Sequence, residues 1–285
     1  MITVVIPAYN EGNAIRATID QVRAALAGEA HEILVVNDGS RDATAEHATA
    51  AGARVITHPH NLGYGAALKT GIRGATHDTI VITDADGTYP NESIPQLVAR
   101  FRTGFNMIVG ARTGDHYHES IVKAPLRYVL KWLVEFTTGR RIPDVNSGLR
   151  VFSKTEALPY LDLLCNTFSF TTSITLAYMM TAKFVDYVPI AYHERVGQTK
   201  VRLFRDSLRT LQYIVQAILY YNPLKMFILV AAALFVAGSV FMFIAWQLKI
   251  MAAFYLGVGC LVMVVQVFAL GLLAELLSRI MVKPR

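Results

Sequence analysis

Two carboxylates one residue apart, in Asp84-Ala85-Asp86-Gly87, follow an apolar run at Ile80–Thr83. Hard oxygen donors beside a glycine turn suit Mg2+ or Mn2+, ions that keep coordination positions open for phosphate oxygens. An acidic turn alone is commonplace. The strand ahead of this one makes it a ligand site, because ligands of open α/β sheets gather at the carboxyl ends of strands. A second run, Ile33–Val36, delivers Asn37-Asp38-Gly39-Ser40. Its carboxylate is placed either to accept hydrogen bonds from a nucleobase or ribose, or to cap a helix starting near Asp42. The first run, Ile2–Ile6, leads into Pro7-Ala8-Tyr9-Asn10-Glu11, which offers a ring for base stacking and more acceptors. Together the three strand ends describe a nucleotide pocket beside a cation.

Downstream, Asp144-Val145-Asn146-Ser147-Gly148-Leu149-Arg150 sets a carboxylate and a guanidinium around a glycine turn. Arg195-Val196-Gly197-Gln198-Thr199-Lys200 groups two cations on a loop. Such a loop closes on a diphosphate leaving group or is drawn to anionic lipid, and the motif alone does not choose. Gly63-Tyr64-Gly65 imitates a dinucleotide fingerprint, but it follows the third strand and has Leu68 where the third glycine belongs. It reads as a tight turn opening a helix.

These residues need a scaffold, and the apolar runs supply one. Ile2–Ile6, Ile33–Val36, Val55–Thr57, Ile80–Thr83 and Met107–Gly110 have strand length, with helical patterns such as Ile15, Ile19, Val22 and Leu26 between them. That alternation implies βαβ units and a parallel sheet, hence a Rossmann-like α/β domain. The opening Met1–Pro7 reads as a strand and not as a leader peptide. Of the 285 residues 53% are hydrophobic and only 17% charged, which excludes disorder and a disulfide scaffold and points to membrane-embedded segments. Met226–Trp246 and Ile250–Ala274 are uncharged and long enough to cross a ~30 Å hydrocarbon core. With only Gln247, Leu248 and Lys249 between them, they form a hairpin. Before it, Phe204, Leu208, Leu211, Val215, Ile218 and Leu219 recur at helical spacing opposite a polar face, as in an interfacial helix or one packed on the globular domain. The expected divisions are a globular domain at 1–202, the amphipathic helix at 203–223, and the hairpin with its basic tail at 224–285. A net charge of +6 calls for an anionic partner. Cys165 and Cys260 are not expected to bridge, which favours a reducing setting.

The order and spacing of these motifs resemble the inverting family 2 glycosyltransferases of GT-A fold, specifically the polyprenyl-phosphate glycosyltransferases that include dolichyl-phosphate mannose synthase. The resemblance implies transfer of one sugar from a UDP- or GDP-linked donor to undecaprenyl or dolichyl phosphate, with Mg2+ or Mn2+ as cofactor and inversion at the anomeric carbon. By position, Pro7, Tyr9, Glu11, Val36 and Asp38 would line the nucleoside site, and Asp84, Ala85 and Asp86 the ribose, diphosphate and metal. Arg112 and Arg127 stand where the family holds the acceptor phosphate, and Arg195 and Lys200 where a loop caps the donor. Asp86, Asp144 and Arg195 are the implied catalytic groups, Asp144 either assisting with a proton or orienting an arginine. Asn37 and Thr88 depart from the family pattern, where aspartate and glutamine are common. Membrane lipids are expected partners and nucleic acid is not; homo-oligomerisation is left open.

Two other classes compete. A processive polysaccharide synthase would add a Gln-x-x-Arg-Trp element and a larger membrane domain. A non-catalytic anchored nucleotide-binding or lipid-transport protein would not need the paired aspartates, the 144–150 segment and the basic loop together. Arg205, Arg209 and Lys225 before the hairpin and Arg279, Lys283 and Arg285 after it place the globular domain and both termini in the cytoplasm. A cysteine introduced at Leu248 is therefore expected to react with an impermeant maleimide only from the far side of the membrane. Labelling from the cytoplasmic side alone would contradict that topology.

Overall fold

The computed structural model describes residues 1–113, 132, 134–136, 138–192, 211, 212, 215, 216, 218–220 and 222–281. The chain divides into two compact units, Met1–Ile214 and Val215–Arg285.

In the first unit, strands β1 (Ile2–Ala8), β2 (His31–Asn37), β3 (Arg54–Thr57), β4 (Thr79–Ile82), β5 (Met107–Thr113), β6 (Arg150–Ser153) and β7 (Val185–Ala191) form one sheet in the order β3-β2-β1-β4-β6-β5-β7. The βαβ reading holds for the first four strands: β1 pairs in parallel with β2 (Val4↔Ile33) and β4 (Val4↔Val81), and β2 with β3. The sheet is not parallel throughout, because β6 inserts antiparallel between β4 and β5 (Ile80↔Phe152, Ile108↔Val151). Its direction sends the segment leading into β6 to the edge where β1, β2, β4 and β5 end. Two loops from opposite sides of the sequence thus meet there.

The central strands read as continuous apolar runs because both faces are covered. On one face α1 (Ile15–Ala25), α2 (Thr44–Ala50) and α4 (Ile94–Phe101) bury Ile15, Ile19, Val22, Ala48, Leu97 and Val98 against Val4, Ile6, Val35, Val81 and Val151. The other face carries α3 (Tyr64–Gly74), whose Gly71 lies so close to β1 and β2 that a Cβ there would stand 2.3 Å from Val5 Cγ1 and 3.1 Å from Val36 Cγ2. A single turn, α5 (Lys154–Ala157), follows β6, and α6 (Phe170–Met180) precedes β7.

The second unit contains α7 (Pro223–Leu248) and α8 (Met251–Met281). Asn222 caps α7 through its side-chain oxygen, which accepts from the Lys225 N–H, and Lys249 reverses the chain in the left-handed region at φ 54°. The helices approach on small residues: a Cβ on Gly257 would come within 2.8 Å of Met242 Cγ, and one on Gly238 within 3.1 Å of Leu261. Close backbone approach at glycine is how helices pack where lipid leaves no hydrophobic drive between them. Both are long and apolar enough to cross a membrane, and little of their surface is buried by protein.

Gly71 permits a test. Alanine normally stabilises a helix interior by about 0.5–1 kcal/mol over glycine, but here the methyl would collide with a packed strand. Gly71→Ala is expected to lower stability by about 1–3 kcal/mol, as overpacking does, read as a reduced thermal midpoint. An unchanged or raised midpoint would show that α3 does not sit this close to the sheet.

Candidate functional site

The carboxyl edge of β1, β2 and β4 brings the first three motifs together, and hydrogen bonds between their backbones and side chains lock the loops. The Asn10 N–H donates to Ser40 Oγ (2.9 Å), the Glu11 N–H to Thr44 Oγ1 (2.9 Å), and the Arg41 N–H to Asn10 Oδ1 (2.9 Å). Asp42 forms an Asx turn just ahead of α2, accepting from the Thr44 N–H at 3.1 Å. Asp38 is turned toward its own chain. Its Oδ1 accepts from the Leu62 N–H (2.9 Å) and meets His58 Nδ1 (2.7 Å), while its Oδ2 accepts from the Gly63 N–H (2.9 Å). Three of about four lone-pair sites on that carboxylate are engaged. Asp38 therefore builds the 58–63 loop as well as bordering the edge. Val36 and Ala85, expected to line the nucleoside site, are buried as whole residues, 0% and 3% exposed, and Val36 is paired on both sides in the sheet. Pro7 is buried in β1, paired with Val36, and Tyr9 and Glu11 are half-buried beyond the strand end.

The glycine turn at 63–65 has a tertiary purpose. A Cβ on Gly63 would stand 2.5 Å from the Asn166 carbonyl oxygen and one on Gly65 would meet the Cys165 oxygen, so both glycines let residues 165–167 lie on the start of α3. The Ala66 N–H donates to that Asn166 oxygen at 3.2 Å.

Asp84 and Asp86 leave β4 in different settings. Asp84 is half-buried, and Tyr64 Oη donates to its Oδ1 at 2.8 Å. Burial first, and then the Asp84 charge, raise the Tyr64 phenol well above its ordinary value, so it stays a donor. Asp86 is buried in an Asx turn, its Oδ1 accepting from Thr88 Oγ1 (2.7 Å) and the Thr88 N–H (3.2 Å). Thr88, where the family pattern has glutamine, thus orients Asp86.

On the side of the edge served by β5 and β6, Asp144 is almost fully buried and grips Arg112 with both oxygens: Nε to Oδ2 at 2.7 Å and Nη2 to Oδ1 at 3.0 Å. Burial alone would push this carboxyl up; the Arg112 hydrogen bonds and charge outweigh it and leave Asp144 below the ordinary aspartate range. A carboxylate so paired is an orienting group for Arg112 and a poor proton acceptor. Arg150, the other end of that motif, lies outside the edge. Its guanidinium is wholly buried and donates to the carbonyls of Ser147 (2.7 Å) and Val145 (2.9 Å) and to Thr175 Oγ1 (2.5 Å), which pins the turn.

That turn joins the two halves. Gly148 lies against Asp84, where a Cβ would stand 2.9 Å from both carboxylate oxygens, and its N–H donates to Tyr89 Oη at 2.6 Å. Tyr89 meets Tyr192 edge to face (5.4 Å), and the Arg112 guanidinium lies over the Tyr192 ring at 5.2 Å. Asp84 and Arg112 are thereby members of one contact chain. Tyr64, Tyr89 and Tyr192 join this contact chain with no signal in the motifs, except that Tyr64 lies inside the glycine pair. Arg127, Arg195, Lys200 and most of the 203–223 segment fall outside the described residues.

A family model described as glycosyl transferase family 2 matches residues 3–155. Undecaprenyl-phosphate 4-deoxy-4-formamido-L-arabinose transferases of Salmonella paratyphi A and Salmonella newport are 28% identical over 246 residues, covering 83% of this chain and 73% of theirs. Among solved structures, glucosyl-3-phosphoglycerate synthase of Mycobacterium tuberculosis in complex with phosphoglyceric acid superposes with TM-score 0.64 at 22% identity, over 76% of this chain and 79% of that one. The same enzyme with Mn2+, UDP and glucosyl-3-phosphoglycerate gives 0.62 at 22%, with the same coverage. These likenesses show the GT-A fold.

The Asp144–Arg112 pair predicts a pH signature. A native pKa below the unfolded value of about 3.9 means that the folded state binds fewer protons, so the stabilisation is present above roughly pH 4 and is lost as pH falls through the native pKa. Asp144→Asn is expected to cost about 1.5–3 kcal/mol near neutrality, the scale of hydrogen bonds to charged groups, with the deficit narrowing below pH 4. Thermal midpoints measured across that range test it. A deficit independent of pH would mean that the pair carries no such charge.

Proposed function

This chain belongs to glycosyl transferase family 2, and from that membership we propose that it moves a single sugar from a nucleoside-diphosphate donor to a polyprenyl phosphate at a membrane surface. The observation that carries the reading is Arg112, held bidentately by a buried carboxylate and linked through the Gly148 turn to the Asp84 edge. An anchored guanidinium beside a nucleotide-diphosphate site is suited to a phosphate acceptor. The Salmonella relatives, whose names specify undecaprenyl phosphate, support that acceptor class, and the paired apolar helices support a lipid substrate.

The donor half rests on Asp84 and Asp86. No group of three or more His, Cys, Asp or Glu among the described residues could enclose a cation. Two strand-end carboxylates do fit Mg2+ or Mn2+ shared with substrate phosphates, since such ions complete their coordination from diphosphate and water. When bound, the ion would offset charge on the departing nucleoside diphosphate. Asp84 and Asp86 would hold it, Tyr9 and Glu11 would border the nucleoside, and Arg195 and Lys200 would close over the diphosphate. Arg112, with Arg127, would receive the lipid phosphate and aim an oxygen at the anomeric carbon. That phosphate is already anionic near neutrality, with a second pKa of about 6, so attack needs no strong base. The low pKa of Asp144 accords with that economy and supports orientation of Arg112 as its role. Displacement from the face opposite the leaving group inverts the anomeric centre.

The full chain, incubated with labelled UDP- and GDP-sugars and undecaprenyl phosphate, is expected to yield an organic-extractable lipid monosaccharide that requires a divalent cation. Asp86→Ala should reduce the rate at least 100-fold, on the order of removing one transition-state contact. Arg112→Ala should raise the lipid-phosphate KM more than the donor KM. A polymeric product, or full activity in EDTA, would overturn the proposal.

A further inference from the structure

We propose that Tyr64 is a positioning residue that presets the Asp84 carboxylate for a divalent ion shared with a nucleoside diphosphate, an inference that rests on the reading of that edge given above. Tyr64 opens α3, and its hydroxyl donates to Asp84 Oδ1 at 2.8 Å. Across from it, Gly148 presses backbone against the same carboxylate, with both oxygens 2.9 Å from where a Cβ would be. The carboxylate is thus held between a hydroxyl and a residue without a side chain. One lone pair of Oδ1 is occupied, which fixes the plane of the group and the direction of its remaining lone pairs.

The ring that carries this hydroxyl is itself held. Tyr64 stacks on Phe168 with centroids 5.5 Å apart and planes 18° from parallel. The segment ahead of Phe168 is seated on α3 by the Gly63 and Gly65 contacts, and Lys69 Nζ donates to Asn166 Oδ1 at 2.7 Å. Residues 165–168 therefore fix Tyr64, and Tyr64 fixes Asp84. A carboxylate already facing its ion loses no side-chain freedom when the ion arrives, the advantage of a rigid supporting shell around metal ligands.

Tyr64→Phe removes the hydroxyl and keeps the stack. Calorimetric titration of the full chain in detergent with UDP, and with GDP in parallel, is made in Mn2+ and again in EDTA; Mn2+ binding is followed separately by electron paramagnetic resonance. The variant is expected to lose about tenfold in Mn2+-dependent nucleotide affinity, equivalent to ~1.4 kcal/mol. Affinity in EDTA and the melting temperature should stay near wild type. Phe168→Ala, which loosens the ring but keeps the hydroxyl, should lose about two- to threefold in the same increment, a smaller share of the same supporting shell. A lowered melting temperature with an unchanged Mn2+ increment in both variants would make Tyr64 a structural residue and overturn the inference. If wild type itself gains nothing from Mn2+ with either nucleotide, the inference and the reading of the aspartate edge fall together; a wild-type gain that both variants retain removes this inference alone.

Discussion

A guanidinium with no access to solvent governs the arrangement of the edge. Arg150 enters β6 between β4 and β5, and its donors close on the carbonyls of Val145 and Ser147 and on Thr175. Burial lowers its pKa, against the opposing pull of Tyr187 and Asp144, and the cation is tolerated because its hydrogen bonds are taken up. Two of those bonds end on the turn that carries Asp144 and Gly148. Asp144 in turn orients Arg112, and Gly148 confines Asp84. Both halves of the site thus depend on one cation that need not touch a substrate. Removing one partner of such an interior set costs more than the set contributes as a whole, because the survivors stay buried and unsatisfied.

The three strand ends were legible because an interior strand covered on both faces must be apolar throughout, and a polar cluster right after it has few other places to be. The face of α1 was legible for the same reason, with Ile15, Ile19, Val22 and Leu26 all buried. β6 was not. Arg150-Val151-Phe152-Ser153 is four residues long and begins with a charge, so it reads as the tail of a loop. Its antiparallel direction is set by tertiary pairing, to which local pattern is blind. The two glycines around Tyr64 could be recognised as unsuited to a dinucleotide, but their reason lies in a segment whose contact with α3 spans 97 residues of sequence, as in the Lys69–Asn166 bond. Asp144 and Arg150 read as one motif and serve two purposes, since only depth in the sheet separates a guanidinium that braces a turn from one that faces a ligand.

The placement of β6 also sets an order of assembly. As the chain leaves the ribosome, β1 to β4 can pair as a parallel four-stranded sheet, but β5 has no partner in it: β4 bonds to β6, and β5 reaches the sheet only through β6. From the completion of β4 at Ile82 until Arg150–Ser153 has been made, the nascent protein therefore carries an open strand edge at the middle of its future sheet. Long-range pairings of this kind are slow to form, and unpaired edges invite foreign strands. The Asp144–Gly148 turn that closes the ligand edge runs straight into the strand that ends this exposure, so a chain halted short of residue 150 keeps the open strand edge and lacks the guanidinium that braces that turn.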